Sequence, residues 1–149
     1  MKFTTQINED IKQAMRDKQK DKLEALRAVK TAFTLAKTSK GGGNELSEEE
    51  EIKIMQKLVK QRKESADIYK NQNRPELADK EILEAGFIEA YLPAQMSEEE
   101  IEKVVKEIIS ETGASSMADM GKVMGVASKK LAGKADGKVI SGIVRRLLS

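Results

Sequence analysis

A Ser-x-x-Glu sequence occurs twice in this chain, at Ser47–Glu50 and at Ser97–Glu100, and apolar residues at helical spacing follow each copy. In such a capping box, the serine side chain accepts a hydrogen bond from the backbone N–H of the glutamate, and the glutamate reaches back to the N–H of the serine. The pattern therefore predicts two helices, one from about residue 48 to 71 and one from 97 to 112.

The rest of the chain shows the same helical period. Phe3, Ile7 and Ile11 recur every four residues, which is typical of an amphipathic helix with one buried face. Aromatic residues make up only 3% of the 149 residues and charged residues 35%, with just two prolines. Such a composition favours helices over sheets, and no stretch alternates as a strand would. We therefore predict an all-α protein.

Several boundaries follow from local signals. Thr4 or Thr5 is expected to cap the first helix. A loop is predicted at 38–44, with residues 40–45 mobile, because three consecutive glycines disfavour a packed helix. A helix is predicted to begin at Pro75 and to end at Leu92, just before Pro93. The helix predicted over about 48–71 should bury one apolar face, which consists of Ile52, Met55, Val59, Ala66 and Tyr69.

The segment between Leu92 and Ser97 is the best domain boundary. We predict an N-terminal helical domain over residues 1–93 and a small C-terminal domain of three helices over 97–149. Gly113 suits the end of the first of these three helices, while Ser116 and Asp136 are expected to cap the other two. The predicted helices span 97–112, 117–132 and 137–148.

Histidine and cysteine are both absent. Ser-His and Cys-His pairs and structural zinc sites are therefore excluded. Glu48–Glu51 and Glu98–Glu100 lie in predicted first turns, where carboxylates oppose the positive end of the helix dipole. The three Gly-Lys pairs lack the earlier glycine and the following Ser or Thr of a phosphate-binding P-loop. We expect no catalytic residue, no metal site and no cofactor.

Residues 114–149 carry seven lysines and arginines against two aspartates, a local balance of +5 in a chain of net charge +2. Basic residues on helices are often only solvated, but clustering with few acids favours nucleic acid. The last helix's N-terminus also offers N–H groups to an anion. Residues 1–40 form a second basic region, with ten basic and five acidic residues. The predicted RNA-binding residues are Lys122, Lys129, Lys130, Lys134, Lys138, Arg145 and Arg146.

Glycines punctuate this basic tail. Gly121 and Gly125 lie four residues apart, on one face of a predicted helix, and are expected to let a neighbouring helix approach closely. Gly133, Asp136 and Gly137 form a predicted structural turn. Because the tail contains no aromatic residue, we do not expect it to stack on bases. Any RNA binding by the tail should therefore follow the shape of the backbone rather than its sequence.

The tail resembles the GatB/YqeY family. The resemblance rests on Gly121-Lys122-Val123-Met124, on the turn at 133–137 and on the apolar residues of the last helix. It continues upstream through 63–69, 74–78 and 89–95, and so covers most of the chain. The length suits the free-standing members of this family, because it is too short for the catalytic cradle of the amidotransferase B subunit.

The resemblance implies an all-helical, tRNA-binding or tRNA-amidotransferase-related accessory protein, linked to glutamine-dependent carbon–nitrogen ligase activity on misacylated tRNA. The partners it implies are tRNA and an aminoacyl-tRNA synthetase or amidotransferase. The alternative is an interaction module that binds such an enzyme through apolar helix faces. A third interpretation is a small enzyme that uses Lys and Glu residues. The N-terminus lacks the apolar centre of a signal peptide, so we expect a cytoplasmic protein without membrane contact.

Overall fold

A computed structural model of the chain describes residues 2–41 and 45–149. Over these residues the protein contains seven α-helices and no strand, which confirms the all-α prediction. The chain divides into two compact units, the first ending at Leu92 and the second beginning at Pro93. The helices of the first unit are α1 (Lys2–Arg16), α2 (Lys20–Ser39), α3 (Glu48–Asn71) and α4 (Pro75–Glu89); those of the second are α5 (Glu98–Thr112), α6 (Met120–Lys130) and α7 (Gly137–Leu148).

Two tight turns connect the helices of the first unit in pairs. Lys18 (φ 55°) lies between α1 and α2, and Asn73 (φ 59°) lies between α3 and α4. In each turn the following residue donates its backbone N–H to a carbonyl in the last turn of the preceding helix, Gln19 to Ala14 at 3.0 Å and Arg74 to Tyr69 at 2.8 Å. These bonds satisfy carbonyl groups that the helix end would otherwise leave unpaired.

A buried glutamate joins α1 to α3. The carboxylate of Glu51, in the first turn of α3, is fully buried and accepts hydrogen bonds from the backbone N–H (2.7 Å) and the hydroxyl (2.6 Å) of Thr4. The negative charge thus lies near the positive ends of two helices, where it is favourable. The apolar core surrounding these helices consists of Ile7, Ile11, Ala25, Leu26, Val29, Phe33, Leu46, Met55, Val59, Ala85 and Ile88.

The second unit is a three-helix bundle with well-defined helix ends. Ser97 and Glu100 form the full reciprocal capping box at the start of α5, and Gly113 ends that helix in the left-handed conformation (φ 71°). A short 3-10 turn, Met117–Asp119, precedes α6. The three helices bury Ile101, Val105, Ile108, Val123, Ala127, Leu131, Ala135, Ile140, Ile143, Val144 and Leu148.

Four local predictions are wrong in detail. Because α1 begins at Lys2, Thr4 and Thr5 lie inside this helix and do not cap it. Helix α4 ends at Glu89, before Leu92. Carbonyl groups of its last turn accept hydrogen bonds from the backbone N–H groups of the short turn that follows. The helix predicted over 117–132 is a 3-10 turn followed by α6. Tyr69 is only half-buried.

Two further predictions concern the loop after α2 and the independent folding of the two units. The mobile loop predicted at 40–45 includes residues 42–44, which lie outside the described residues. Independent folding of the two units stays a prediction.

Among the helices of the described chain, none combines the length and the apolar composition needed to cross a bilayer.

Candidate nucleic-acid interface

The turn between α6 and α7 holds its backbone by hydrogen bonds to the segment before α5. Gly133, at a φ of 78°, accepts a hydrogen bond from the side-chain amide of Gln95 at 2.8 Å. The carbonyl of Lys134 accepts one from the backbone N–H of Met96 at 2.9 Å. Leu131 and Ala135 anchor the turn in the core on either side of Lys134. The side chain of Lys134 is therefore exposed on a backbone that is fixed in place.

The N-terminus of α7 already has a carboxylate. Asp136 caps the helix, and its side chain accepts a hydrogen bond from the backbone N–H of Lys138 at 3.0 Å. The predicted capping role of Asp136 is thus confirmed. A phosphate at this point would have to compete with that carboxylate for the same N–H group. Any anion binding here must therefore rely on the basic side chains rather than on the helix end itself.

Three of the seven predicted RNA-binding residues already have partners within the protein. Lys122 donates to the carbonyl of Thr112 at 3.3 Å. Lys130 lies 3.4 Å from the carboxylate of Glu111, and Arg146 lies 3.1 Å from that of Glu102. The hydrogen bond from Arg146, followed by one from Lys106, lowers the pKa of the Glu102 carboxyl. These exposed pairs would be broken at little cost, since surface ion pairs contribute about 0–1 kcal/mol.

The other four basic side chains make no ion pair with any residue of the described ranges. We call them the free cations; they are Lys129, Lys134, Lys138 and Arg145. All four are exposed. Lys138 and Arg145 are seven residues apart, and therefore lie on the same side of α7, about 10 Å apart along its axis.

Carboxylates of α5 border part of this surface. A groove of about 430 Å³ between α5 and α7 is lined on one side by Glu98, Glu99 and Glu102, and on the other by Lys138 and Arg146. Over the whole second unit, nine basic residues stand against eight acidic ones, a balance of only +1. The +5 of residues 114–149 is thus offset by the −4 of α5. An RNA backbone would therefore meet positive charge only on the α6–α7 side.

The glycines of α6 do not serve packing, contrary to the prediction. Gly121 and Gly125 are exposed, and a Cβ atom at either position would meet no atom within 4 Å in the described chain. The same holds for Gly142 of α7. Glycine inside a helix costs about 1 kcal/mol relative to alanine. The glycines on these exposed helix faces therefore lower helix stability without improving packing within the described chain. They leave room for another molecule to approach the helices closely.

The acidic border is what the sequence interpretation missed. Glu98, Glu99 and Glu102 lie beside the second capping box in the sequence, outside the range 114–149 over which the charges of the tail were counted. The apolar faces of α5 and α7 predict that these helices pack together. If this packing is combined with the charges of α5, it indicates that Lys138 and Arg146 lie beside carboxylates.

Comparison with known proteins identifies the family. A family described as "Yqey-like protein" matches residues 4–148, and the chain therefore belongs to it. The match covers nearly the whole chain, so both units lie within the family's domain.

Three curated relatives are similar over shorter stretches. Two are E subunits of glutamyl-tRNA(Gln) amidotransferase, from Thermococcus gammatolerans and Thermococcus sibiricus. Each is 44% identical over 55 residues, which cover 34% of this chain and 9% of that protein. The third is altered inheritance of mitochondria protein 41 from Meyerozyma guilliermondii, 37% identical over 86 residues, 58% of this chain and 44% of that protein. The chain thus matches less than half the length of each relative.

Proposed function

We propose that this chain is an accessory protein of tRNA-dependent amidation and that its second unit binds the backbone of tRNA. The free cations carry this proposal, because they place four exposed positive charges, without an ion pair in the described ranges, on α6, α7 and the turn between them. The family membership and the similarity to one component of a Glu-tRNA(Gln) amidotransferase support it. We assign the protein to the cytoplasm, and we assign no catalytic step to its own residues.

The proposed contact is electrostatic and independent of sequence. Lysine and arginine side chains neutralise phosphates and release counterions, so the affinity falls steeply with salt. The exposed glycines of α6 and α7 would let a sugar–phosphate backbone approach the helices closely. The carboxylates Glu98 and Glu99 would repel RNA from the α5 side and so orient it on the α6–α7 side.

The test replaces Lys134 and Lys138 together with alanine. Their backbone bonds to Met96 and Asp136 remain, so the turn should stay intact and the melting temperature should change little. We expect tRNA affinity, measured by fluorescence anisotropy, to fall about three- to tenfold, because exposed charge pairs are each weak. The slope of log affinity against log salt should fall by about 1.5, since each lost phosphate contact removes about 0.7–0.9.

The matched control replaces Lys18 and Lys20, two exposed lysines of the N-terminal basic region. It removes the same charge and should leave tRNA affinity nearly unchanged. Equal weakening by both pairs would show generic charge attraction rather than a site on the second unit. If tRNA fails to bind below about 100 μM, weaker than ordinary non-specific binding, the RNA proposal is wrong.

The second candidate function is that of a protein interaction module, and the exposed apolar side chains of α4 favour it. Ile82 and Leu83 are 45% and 46% exposed. Association with a synthetase or amidotransferase through this face would tolerate high salt, whereas tRNA binding would not. Leu83→Asp would abolish such protein association and leave tRNA binding unaffected.

A further inference from the structure

A small cavity opens between α1 and α2 in the first unit. Its volume is about 140 Å³, and its apolar floor is formed by the buried side chains of Ile7, Phe33 and Leu46. A protein cavity of about 150 Å³ with an entirely apolar lining holds one benzene molecule, whereas the lining here combines three apolar residues with five polar or charged ones. The cavity is therefore large enough for a short hydrocarbon body of about five or six atoms, and too small for a nucleotide.

The two hydroxyl groups at the cavity already donate within the protein, whereas a buried carboxamide oxygen there receives no hydrogen bond from the described chain. The hydroxyl of Thr4 donates to Glu51 at 2.6 Å, and that of Thr34 donates to the carbonyl of Lys30 at 3.0 Å. The carboxamide oxygen of Asn8, another lining residue, is buried and has no hydrogen-bond partner in the described part of the chain. Leaving such a group unpaired is costly. A ligand that supplies a donor would remove this cost.

Two lysines of α2 line the cavity beside these acceptors. Lys30 and Lys37 are seven residues apart, on the same face of the helix, and neither makes an ion pair within the described ranges. Their spacing of about 10 Å along the helix axis lets both flexible side chains reach a charge between them. Two unpaired ammonium groups attract an anion and repel a second cation.

We propose that this cavity binds a short branched α-hydroxy carboxylate. The branched hydrocarbon body fills the floor against Phe33, the hydroxyl donates to the carboxamide oxygen of Asn8, and the carboxylate lies between Lys30 and Lys37. A neutral hydroxyl suits the donor position better than an ammonium group, because the two lysines disfavour positive charge. This site goes beyond the proposed tRNA interface, and it lies in the other unit of the protein.

In the test, each enantiomer of 2-hydroxy-3-methylbutanoate is titrated separately into the ¹⁵N-labelled full chain. Binding is monitored by the amide chemical shifts of the protein. We expect saturable shifts around Ile7, Phe33 and Leu46 with a Kd on the order of 1 mM, since so few atoms provide limited affinity. 3-Methylbutanoate, which lacks the hydroxyl, should bind about tenfold more weakly because it leaves the Asn8 oxygen unpaired. Valine, which carries an ammonium group instead, should also bind more weakly.

Variants separate the proposed contacts. Asn8→Leu should keep the fold and bind the two carboxylates equally, because it removes the acceptor that distinguishes them. Lys30→Gln with Lys37→Gln should weaken both ligands about fivefold or more, whereas the control pair Lys57→Gln with Lys70→Gln, exposed on α3, should not. Three results would each overturn the proposal: no shifts at about 20 mM ligand, far above the expected Kd; a hydroxyl preference that survives in the Asn8 variant; or equal weakening by the control pair.

Discussion

Replacing Ile108 with alanine should strongly destabilise the second unit and leave the stability of the first unit unchanged. Ile108 is fully buried in the core formed by α5, α6 and α7. Truncation of a buried isoleucine to alanine costs about 2–5 kcal/mol, because apolar contacts are lost and a cavity remains. A unit spanning residues 93–149 with ordinary stability has a free energy of unfolding of about 3–9 kcal/mol, at about 0.05–0.15 kcal/mol per residue. The change therefore removes from about a fifth of that stability to all of it.

The distribution of aromatic residues provides an assay that distinguishes the two units. All five, Phe3, Phe33, Tyr69, Phe87 and Tyr91, lie before residue 93. Tyrosine fluorescence thus reports on the first unit alone, whereas far-ultraviolet circular dichroism reports on the helices of both. In urea, Ile108→Ala should lower the midpoint of the second unit's dichroism transition by about 2 M or more, at a typical slope of about 1 kcal/mol per M. The tyrosine transition should not move.

Ile109→Ala is the matched control. Ile109 is the next residue of α5 but only half-buried, so its loss should cost clearly less than that of Ile108. If the tyrosine and dichroism midpoints shift together, the two units unfold as one and the two-domain prediction is wrong. Equal costs at the two positions would contradict the described orientation of α5.

Three further substitutions and one proteolysis experiment have definite expected outcomes. Lys18→Gly should raise the free energy of unfolding by about 0.5–1 kcal/mol, because glycine adopts a positive φ without strain. Gly125→Ala should raise it by a similar amount, because alanine favours an exposed helix more than glycine does. Urea titration measures both changes. Tyr91 donates a hydrogen bond to Asp10, and burial together with that bond raises the pKa of Tyr91. Above its unfolded value of about 10, stability should therefore fall with rising pH, and Tyr91→Phe should remove that part of the loss in urea titrations from pH 8 to 11. Trypsin should cut first after Lys40, leaving both fragments helical, and earlier cleavage elsewhere would contradict a mobile loop.

Helix positions were predictable because their signals are local. The serine of each Ser-x-x-Glu sequence caps a helix, at α3 and at α5, and Asp136 caps α7. A cap needs only a short side chain and the N–H groups two or three residues later. The apolar spacing of α5 and α7 is also a local signal, and seven of the eleven buried core residues of the second unit lie on these two helices.

Interactions between helices were not predictable from local patterns. Nothing near Glu51 in the sequence indicates that it receives two hydrogen bonds from Thr4, 47 residues earlier. The predicted close packing at Gly121 and Gly125 was wrong because spacing alone does not reveal which face of a helix is covered. Similarly, a count of charges along 114–149 could not show that Arg146 pairs with Glu102 of α5.

Mapping the tRNA contact on the whole protein tests the central claim most directly. Addition of tRNA to the ²H,¹⁵N-labelled chain at low salt should broaden or shift amide signals around the free cations of α6 and α7, and the effect should disappear at high salt. Signals of α2 and α4 should change little. Changes concentrated in residues 2–40 or on α4, with α6 and α7 unaffected, would contradict the proposed interface.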